Sequence, residues 1–149
     1  VPEILASGRR VVVPFCQGNE LGLFLLSELN ELEPSGFGLW EPPPSLREQA
    51  DRRASVQDLD LIAVPGLAFD RHGARLGHGK AYYDRLLHNV RPDTPLVGLA
   101  FECQMLPEVP MGKRDVFMDL VITEAGLYPC VGRRGKSSPG GQLDSSSSE

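Results

Sequence analysis

From Pro65 to Leu87 the chain reads Pro-Gly-Leu-Ala-Phe-Asp-Arg-His-Gly-Ala-Arg-Leu-Gly-His-Gly-Lys-Ala-Tyr-Tyr-Asp-Arg-Leu-Leu. This stretch concentrates the residue types that handle anions. Gly66, Gly73, Gly77 and Gly79 fall within it. Glycine lets a backbone approach a ligand closely and take positive φ, which can turn amide N–H groups onto a phosphate. Arg71, Arg75, Lys80 and Arg85 supply charge, and all three histidines (His72, His78 and His88) lie here too. A helix predicted to begin just after the loop adds free N–H groups and the positive end of its dipole. The chemistry these features point to is the binding of a phosphate-type anion.

The stretch matches neither the P-loop pattern nor the spaced glycines of the dinucleotide fingerprint. His72 and His78 read as polar loop residues rather than zinc ligands. Tyr82 and Tyr83 would serve equally well to pack a helix against a sheet. On composition and spacing alone, a ligand loop and an ordinary basic turn both stay open.

The elements that must position this loop follow from hydrophobic pattern and turn chemistry. Leu59–Val64 is the strongest predicted strand, and it runs into the turn pair Pro65-Gly66. The Gly-rich loop is expected to continue to about Lys80 and a helix to run from Ala81 to Asn89. That places the loop at the carboxyl end of a strand, where open α/β sheets bind ligands. Leu96–Phe101 and Leu120–Thr123 are two further predicted strands. Upstream, Val1–Ser7 reads as the tail of a helix closed by Gly8. Arg10–Phe15 reads as a buried strand ended by Pro14. Leu21–Leu26 is strand or helix, Leu32–Pro44 an ordered loop with an extended arm, and Leu46–Ser55 a charged, solvent-facing segment. Alternating strands and helices give an α/β class with a central, largely parallel sheet flanked by helices.

Composition narrows the partners. The 149 residues carry a net charge of −5, which argues against general nucleic-acid binding, since that depends on Lys and Arg neutralising phosphates. No apolar run reaches the ~20 residues of a membrane span, and no basic-then-apolar leader precedes the first residues. Cys16, Cys103 and Cys130 form no CxxC pair and read as reduced thiols of a cytoplasmic protein. A monomer is favoured. The chain begins at Val1 without a methionine, so earlier residues are expected to be missing or processed.

The run Pro65–Asp70, Gly73 and Arg75–Arg85 resembles the signature of the 5-formyltetrahydrofolate cyclo-ligases, also called 5,10-methenyltetrahydrofolate synthetases. Phe37–Pro43 resembles the arm before that family's catalytic half, Leu99–Phe101 its following strand, and Asp115 with Asp119–Glu124 its last strand. The likeness covers roughly Ile4 to Glu124. It implies one cyclo-ligase-like domain over 1–132, incomplete at its amino end, on a fold shared with sugar-phosphate isomerases and CoA transferases. A disordered Ser/Gly-rich tail is expected over 133–149.

The resemblance also implies roles. Arg75, Leu76, Gly77, His78, Gly79, Lys80, Ala81, Tyr82 and Tyr83 correspond to the ATP-binding loop. Of these, His78 to Tyr82 also touch the folate, and Arg75 and Lys80 are the candidates for charge on the γ-phosphate. Asp84 and Asp119 match the positions that hold magnesium, an ion that takes few carboxylates beside nucleotide oxygens. The implied reaction is ATP-dependent closure of 5-formyltetrahydrofolate to 5,10-methenyltetrahydrofolate, with ADP and phosphate released.

The chain departs from the family pattern at two loop positions. His78 stands where Arg is usual, and Ala81 stands where Gly is usual, so the backbone there must accept a Cβ. Members also carry a basic amino-terminal helix and a first strand, which Val1–Gly8 cannot supply. The alternative function is therefore a truncated, catalytically impaired relative that binds nucleotide or folate, or an interaction protein. An isomerase or acyl-CoA transferase on a similar fold is a further alternative. The transferase would need a Glu nucleophile at a Gly-flanked strand end, and no convincing one is present.

Overall fold

A computed structural model describes residues 1–112 and 115–133, so the expected tail lies, apart from Arg133, outside the described residues. The described residues divide into two compact units: Val1–Leu59 with Ala81–Arg91, and Asp60–Lys80 with the described residues from Pro92 to Arg133.

The first unit opens with a short helix, α1 (Pro2–Ala6), closed as expected by Gly8 at φ 78°. A hairpin of β1 (Val11–Gln17) and β2 (Glu20–Leu26) follows, in register from Val11↔Leu26 to Gln17↔Glu20. The turn is the pair Gly18-Asn19, with Gly18 at φ 63°, the torsion a two-residue hairpin turn asks of its first residue. Leu21–Leu26, open between helix and strand in the sequence, is strand. Pro14 does not end β1. It sits within the strand opposite Leu23, because a two-stranded sheet has only edge strands and an edge tolerates a missing N–H. Phe15, Phe24 and Leu26 form the core, ringed by Leu5, Val11, Val13, Leu32 and Leu46.

The arm folds into a small hairpin, β3 (Glu33–Pro34) with β4 (Trp40–Glu41), and runs on into α2 (Pro44–Arg47). The segment Leu46–Ser55 does not simply face solvent. Arg47 stands 4.9 Å over the Phe15 ring and pairs with buried Glu41 at 3.6 Å. Arg52 stands 4.6 Å over Phe24, donates to Leu25 O at 3.0 Å, and binds both oxygens of Glu31 at 2.7 Å. The aliphatic stems cover aromatic rings while the guanidinium groups find fixed acceptors. The helix α3 (Tyr82–His88) belongs to this unit and packs on β2, burying Leu87.

The second unit is built on a four-stranded sheet of β5 (Ile62–Val64), β8 (Leu96–Leu99), β9 (Leu120–Thr123) and β10 (Gly126–Pro129). β5 pairs parallel with β8, β8 parallel with β9, and β9 antiparallel with β10. This bears out the α/β class with a largely parallel sheet. The first strand is shorter than predicted, because Val56–Asp58 is a 3₁₀ turn and pairing begins only at Ile62. Alternation puts Ile62, Val64, Leu96, Gly98 and Val121 on a buried face. Leu61, Leu99 and Leu127, which alternate with them, are exposed.

Candidate functional site

The Gly-rich stretch is not one open loop. Its first half is a hairpin, β6 (Ala68–Phe69) with β7 (Arg75–Leu76), in register Ala68↔Leu76 and Phe69↔Arg75. Phe69 is fully buried and packs against Gly98 of β8, where a Cβ would stand 2.7 Å from its ring. The hairpin turn is organised by Asp70, which is 2% exposed. Its Oδ1 accepts the N–H groups of His72 (2.9 Å) and Ala74 (3.1 Å), and its Oδ2 accepts that of Val109 at 2.9 Å. Gly73, at φ 95°, is glycine for space as well as torsion, since a Cβ there would lie 2.4 Å from Met118 O.

Arg75 is buried, and its Nη1 donates to Pro65 O at 3.1 Å. Two of the glycines read as phosphate-cradling in the sequence make room for this side chain. A Cβ at Gly66 would stand 2.9 Å from Arg75 Cγ, and one at Gly77 would stand 2.9 Å from Nη1. Beyond Gly77 the character changes. His78, Gly79, Lys80 and Ala81 are all exposed, Gly79 has φ 90°, and nothing lies within 4 Å of where its Cβ would be. Among the described residues Ala81 is the one non-glycine with positive φ, at 55°. This is the position where the family pattern has glycine, and the backbone keeps the left-handed turn that glycine would favour.

In the first unit, Tyr82 and Arg85 tie α3 to the tip of the long hairpin. The Tyr82 hydroxyl donates to Gly18 O at 3.2 Å and the Arg85 guanidinium donates to Asn19 O. Tyr82 is therefore more than packing. Tyr83 and Asp84 are half-buried on the first turn of the helix.

Asp119 lies at the amino end of β9. Its Oδ2 accepts the Leu96 N–H at 2.8 Å, its own N–H donates to Leu96 O at 2.8 Å, and a Cβ at Gly132 would stand 2.2 Å from its Oδ1. Arg75 and Pro65 lie at the opposite, carboxyl end of the same parallel sheet. The carboxylate fits a backbone brace joining the starts of β8 and β9. Among the described residues no group of three or more His, Cys, Asp or Glu side chains could hold a metal ion.

Residues the sequence did not single out also converge at the carboxyl end of the sheet. The 3₁₀ turn Glu102–Gln104 follows β8. Glu102 accepts hydrogen bonds from the hydroxyls of Thr123 (2.6 Å) and Tyr128, and Arg71 stands 5.4 Å over the Tyr128 ring. The Thr123 hydroxyl first, then that of Tyr128, holds the Glu102 carboxyl below its ordinary range. Glu102 in turn raises the Tyr128 phenol above its own. The available signal was a polar pair, Glu102 and Gln104, directly after a buried strand.

Comparison with known proteins decides the family. The model described as the 5-formyltetrahydrofolate cyclo-ligase family matches residues 1–124. The chain belongs to this family. The 5-formyltetrahydrofolate cyclo-ligase of Mycolicibacterium smegmatis is 34% identical over 125 residues, covering 80% of this chain and 62% of that protein. The Escherichia coli K12 cyclo-ligase is 30% identical over 133 residues, covering 86% and 70%. The NMR structure of Aquifex aeolicus 5,10-methenyltetrahydrofolate synthetase superposes with a TM-score of 0.71 at 34% identity, over 96% of this chain and 68% of its own. A Mycoplasma pneumoniae 5,10-methenyltetrahydrofolate synthetase, at 22% identity and TM-score 0.60, shares the fold. The chain spans about three fifths of the length of the Mycolicibacterium cyclo-ligase and about half that of the mitochondrial Arabidopsis one. No described helix is long and apolar enough to cross a membrane.

Proposed function

We propose that this chain carries the ATP-dependent cyclo-ligase reaction, with residues 1–132 acting as one cyclo-ligase-like domain. In that reaction the γ-phosphoryl group of ATP passes to the formyl oxygen of 5-formyltetrahydrofolate, leaving ADP. N10 of the folate attacks the formyl carbon and loses its proton. The carbon–oxygen bond then breaks, phosphate departs, and 5,10-methenyltetrahydrofolate remains. Such a reaction asks a protein mainly for positioning and charge neutralisation.

The observation that carries the reading is the exposed His78–Ala81 turn, whose sequence belongs to the family signature and whose backbone turns left-handed at Gly79 and again at Ala81. Lys80 sits exposed between them and is the residue proposed to meet the transferring phosphoryl group. Arg75 is buried with its guanidinium on Pro65 O, so its proposed charge acts from beneath the loop. His78 to Tyr82 are proposed to face the folate as well, and Arg75 to Tyr83 the nucleotide. Magnesium, implied by the resemblance, enters as the nucleotide's counter-ion, with Asp84 and Asp119 as its proposed carboxylates, Asp119 also accepting the Leu96 N–H. A cytoplasmic monomer that engages neither nucleic acid nor membrane belongs to the same reading.

The test follows the absorbance of the methenyl product with ATP, magnesium and 5-formyltetrahydrofolate, and calorimetry of ATP binding beside it. Lys80→Met should weaken ATP binding and cut turnover, while Arg53→Met, outside the signature, should do neither. If both variants behaved alike, the loop would not be the nucleotide site. Nucleotide binding without turnover in the unaltered chain would favour the impaired relative over the enzyme.

A further inference from the structure

Gln104 ends the 3₁₀ turn after β8, and its side chain makes three backbone contacts. Its amide nitrogen donates to Gly66 O at 2.9 Å and Leu67 O at 3.1 Å, and its oxygen accepts the Phe101 N–H at 2.8 Å. These partners fix the amide's orientation, because two carbonyls require the NH₂ and an N–H requires the oxygen. The neighbouring carbonyl, Pro65 O, is the acceptor for Arg75 Nη1. Leu67 N–H donates to Leu76 O at 2.7 Å, one residue beyond Arg75 and one before Gly77. The turn Pro65–Leu67 is thus held from one side by Gln104, and holds Arg75 and the start of the exposed loop on the other.

We infer that Gln104 is a positioning residue for the Arg75–Lys80 loop, acting through the carbonyls of Gly66 and Leu67. The inference rests on the reading of that loop as a nucleotide site. No close substitute reproduces the contacts. Glutamate would set a carboxylate against two carbonyl oxygens, asparagine is one methylene short, and methionine keeps the volume without the donors. With the brace gone the turn samples other conformations, and apparent affinity falls in proportion to the fraction of time it is correctly formed.

The experiment compares Gln104→Met and Gln104→Glu with the unaltered chain, using Cys103→Ser, an exposed neighbour, as control. Three quantities are measured well below the thermal midpoint: exchange of the Leu67 amide, affinity for magnesium–ATP, and the separate kcat and KM for ATP. Faster Leu67 exchange, about tenfold weaker nucleotide affinity and a raised KM for ATP are expected in both Gln104 variants, with the control unchanged. A lowered midpoint with unaltered exchange and affinity would mean that Gln104 only contributes stability, and the inference would be overturned. If the unaltered chain binds no nucleotide, the proposed function fails, and Leu67 exchange still decides the brace: acceleration supports it and no change overturns it.

Discussion

The molecule contains two hairpins that hold themselves together in opposite ways. The β1–β2 hairpin pairs seven residues with seven through a two-residue turn, and buries Phe15, Phe24 and Leu26. Its stability is distributed over a register and an apolar cluster, with Arg47 and Arg52 as outer braces. The β6–β7 hairpin pairs two residues with two, too few to persist alone, and its turn is organised by one buried carboxylate, Asp70. Where a ladder is long, no single side chain decides the conformation. Where it is short, one polar group can decide it, and that group is then not replaceable.

This contrast predicts a steep order of mutational cost. Asp70→Ala strands the N–H groups of His72, Ala74 and Val109 in or near a buried site, and should lower stability by about 3–5 kcal/mol. A urea titration showing a loss below about 1 kcal/mol would mean that the short hairpin is held by something else. Asp119→Ala removes the acceptor of the Leu96 N–H and should cost about 2 kcal/mol, in buffer free of divalent ions. Asp84→Asn should lower magnesium-dependent turnover by on the order of 100-fold, because it removes charge from the proposed nucleotide site. Unchanged turnover in the Asp84 variant would remove that residue from the proposed magnesium site.

How much was legible in advance follows the same division. The parallel strands, the turn at Pro65-Gly66 and the closing glycine of α1 are local statements, and local composition predicts them. Pro14 misled because its cost depends on whether a strand is an edge, which is a property of the sheet. Arg47 and Arg52 misled because their charge suggests water, whereas their stems lie over rings contributed by residues 28 to 32 positions earlier in the chain. The glycines at 66 and 77 resembled a phosphate cradle, yet their neighbour is the Arg75 side chain. The sequence marked a glycine-rich segment and left open which atoms the glycines make room for.

Two smaller effects sharpen the comparison further. Burial alone would raise the Glu31 carboxyl, but the Arg52 hydrogen bond and the N–H groups of Ser27 and Glu28 outweigh it and hold it below the ordinary glutamate range. Glu41 is lowered in the same way, against burial, by the Cys16 N–H and other partners including Arg47. A lowered folded-state pKa stabilises above the unfolded value and loses that contribution as pH falls through the folded value. Stability of the long hairpin should therefore decline below about pH 4.5, and Arg52→Met should reduce both its stability at neutral pH, by about 1 kcal/mol, and the depth of that decline. Parallel acid-melting curves for the two proteins would contradict the assignment. The smallest effect is a gain. Ala81→Gly relieves a left-handed alanine at the cost of greater freedom in the unfolded chain, for a net stabilisation of about 0.5–1 kcal/mol by differential scanning calorimetry.

The contact between Phe69 and Gly98 has a consequence for how the sequence can drift. The ring occupies the space where a side chain of β8 would otherwise stand, and it also lies 2.9 Å from where a Cβ at Gly66 would be. A lineage that keeps Phe69 cannot accept even alanine at 98 without displacing the buried Phe69 ring, because overfilling a close-packed interior is costly, as emptying it is. A lineage that first exchanges Phe69 for a smaller residue leaves a void, which a larger residue at 98 would then fill. Positions 66, 69 and 98 should accordingly change together or stay fixed together. Double substitutions such as Phe69→Leu with Gly98→Ala should be tolerated better than the sum of their single costs.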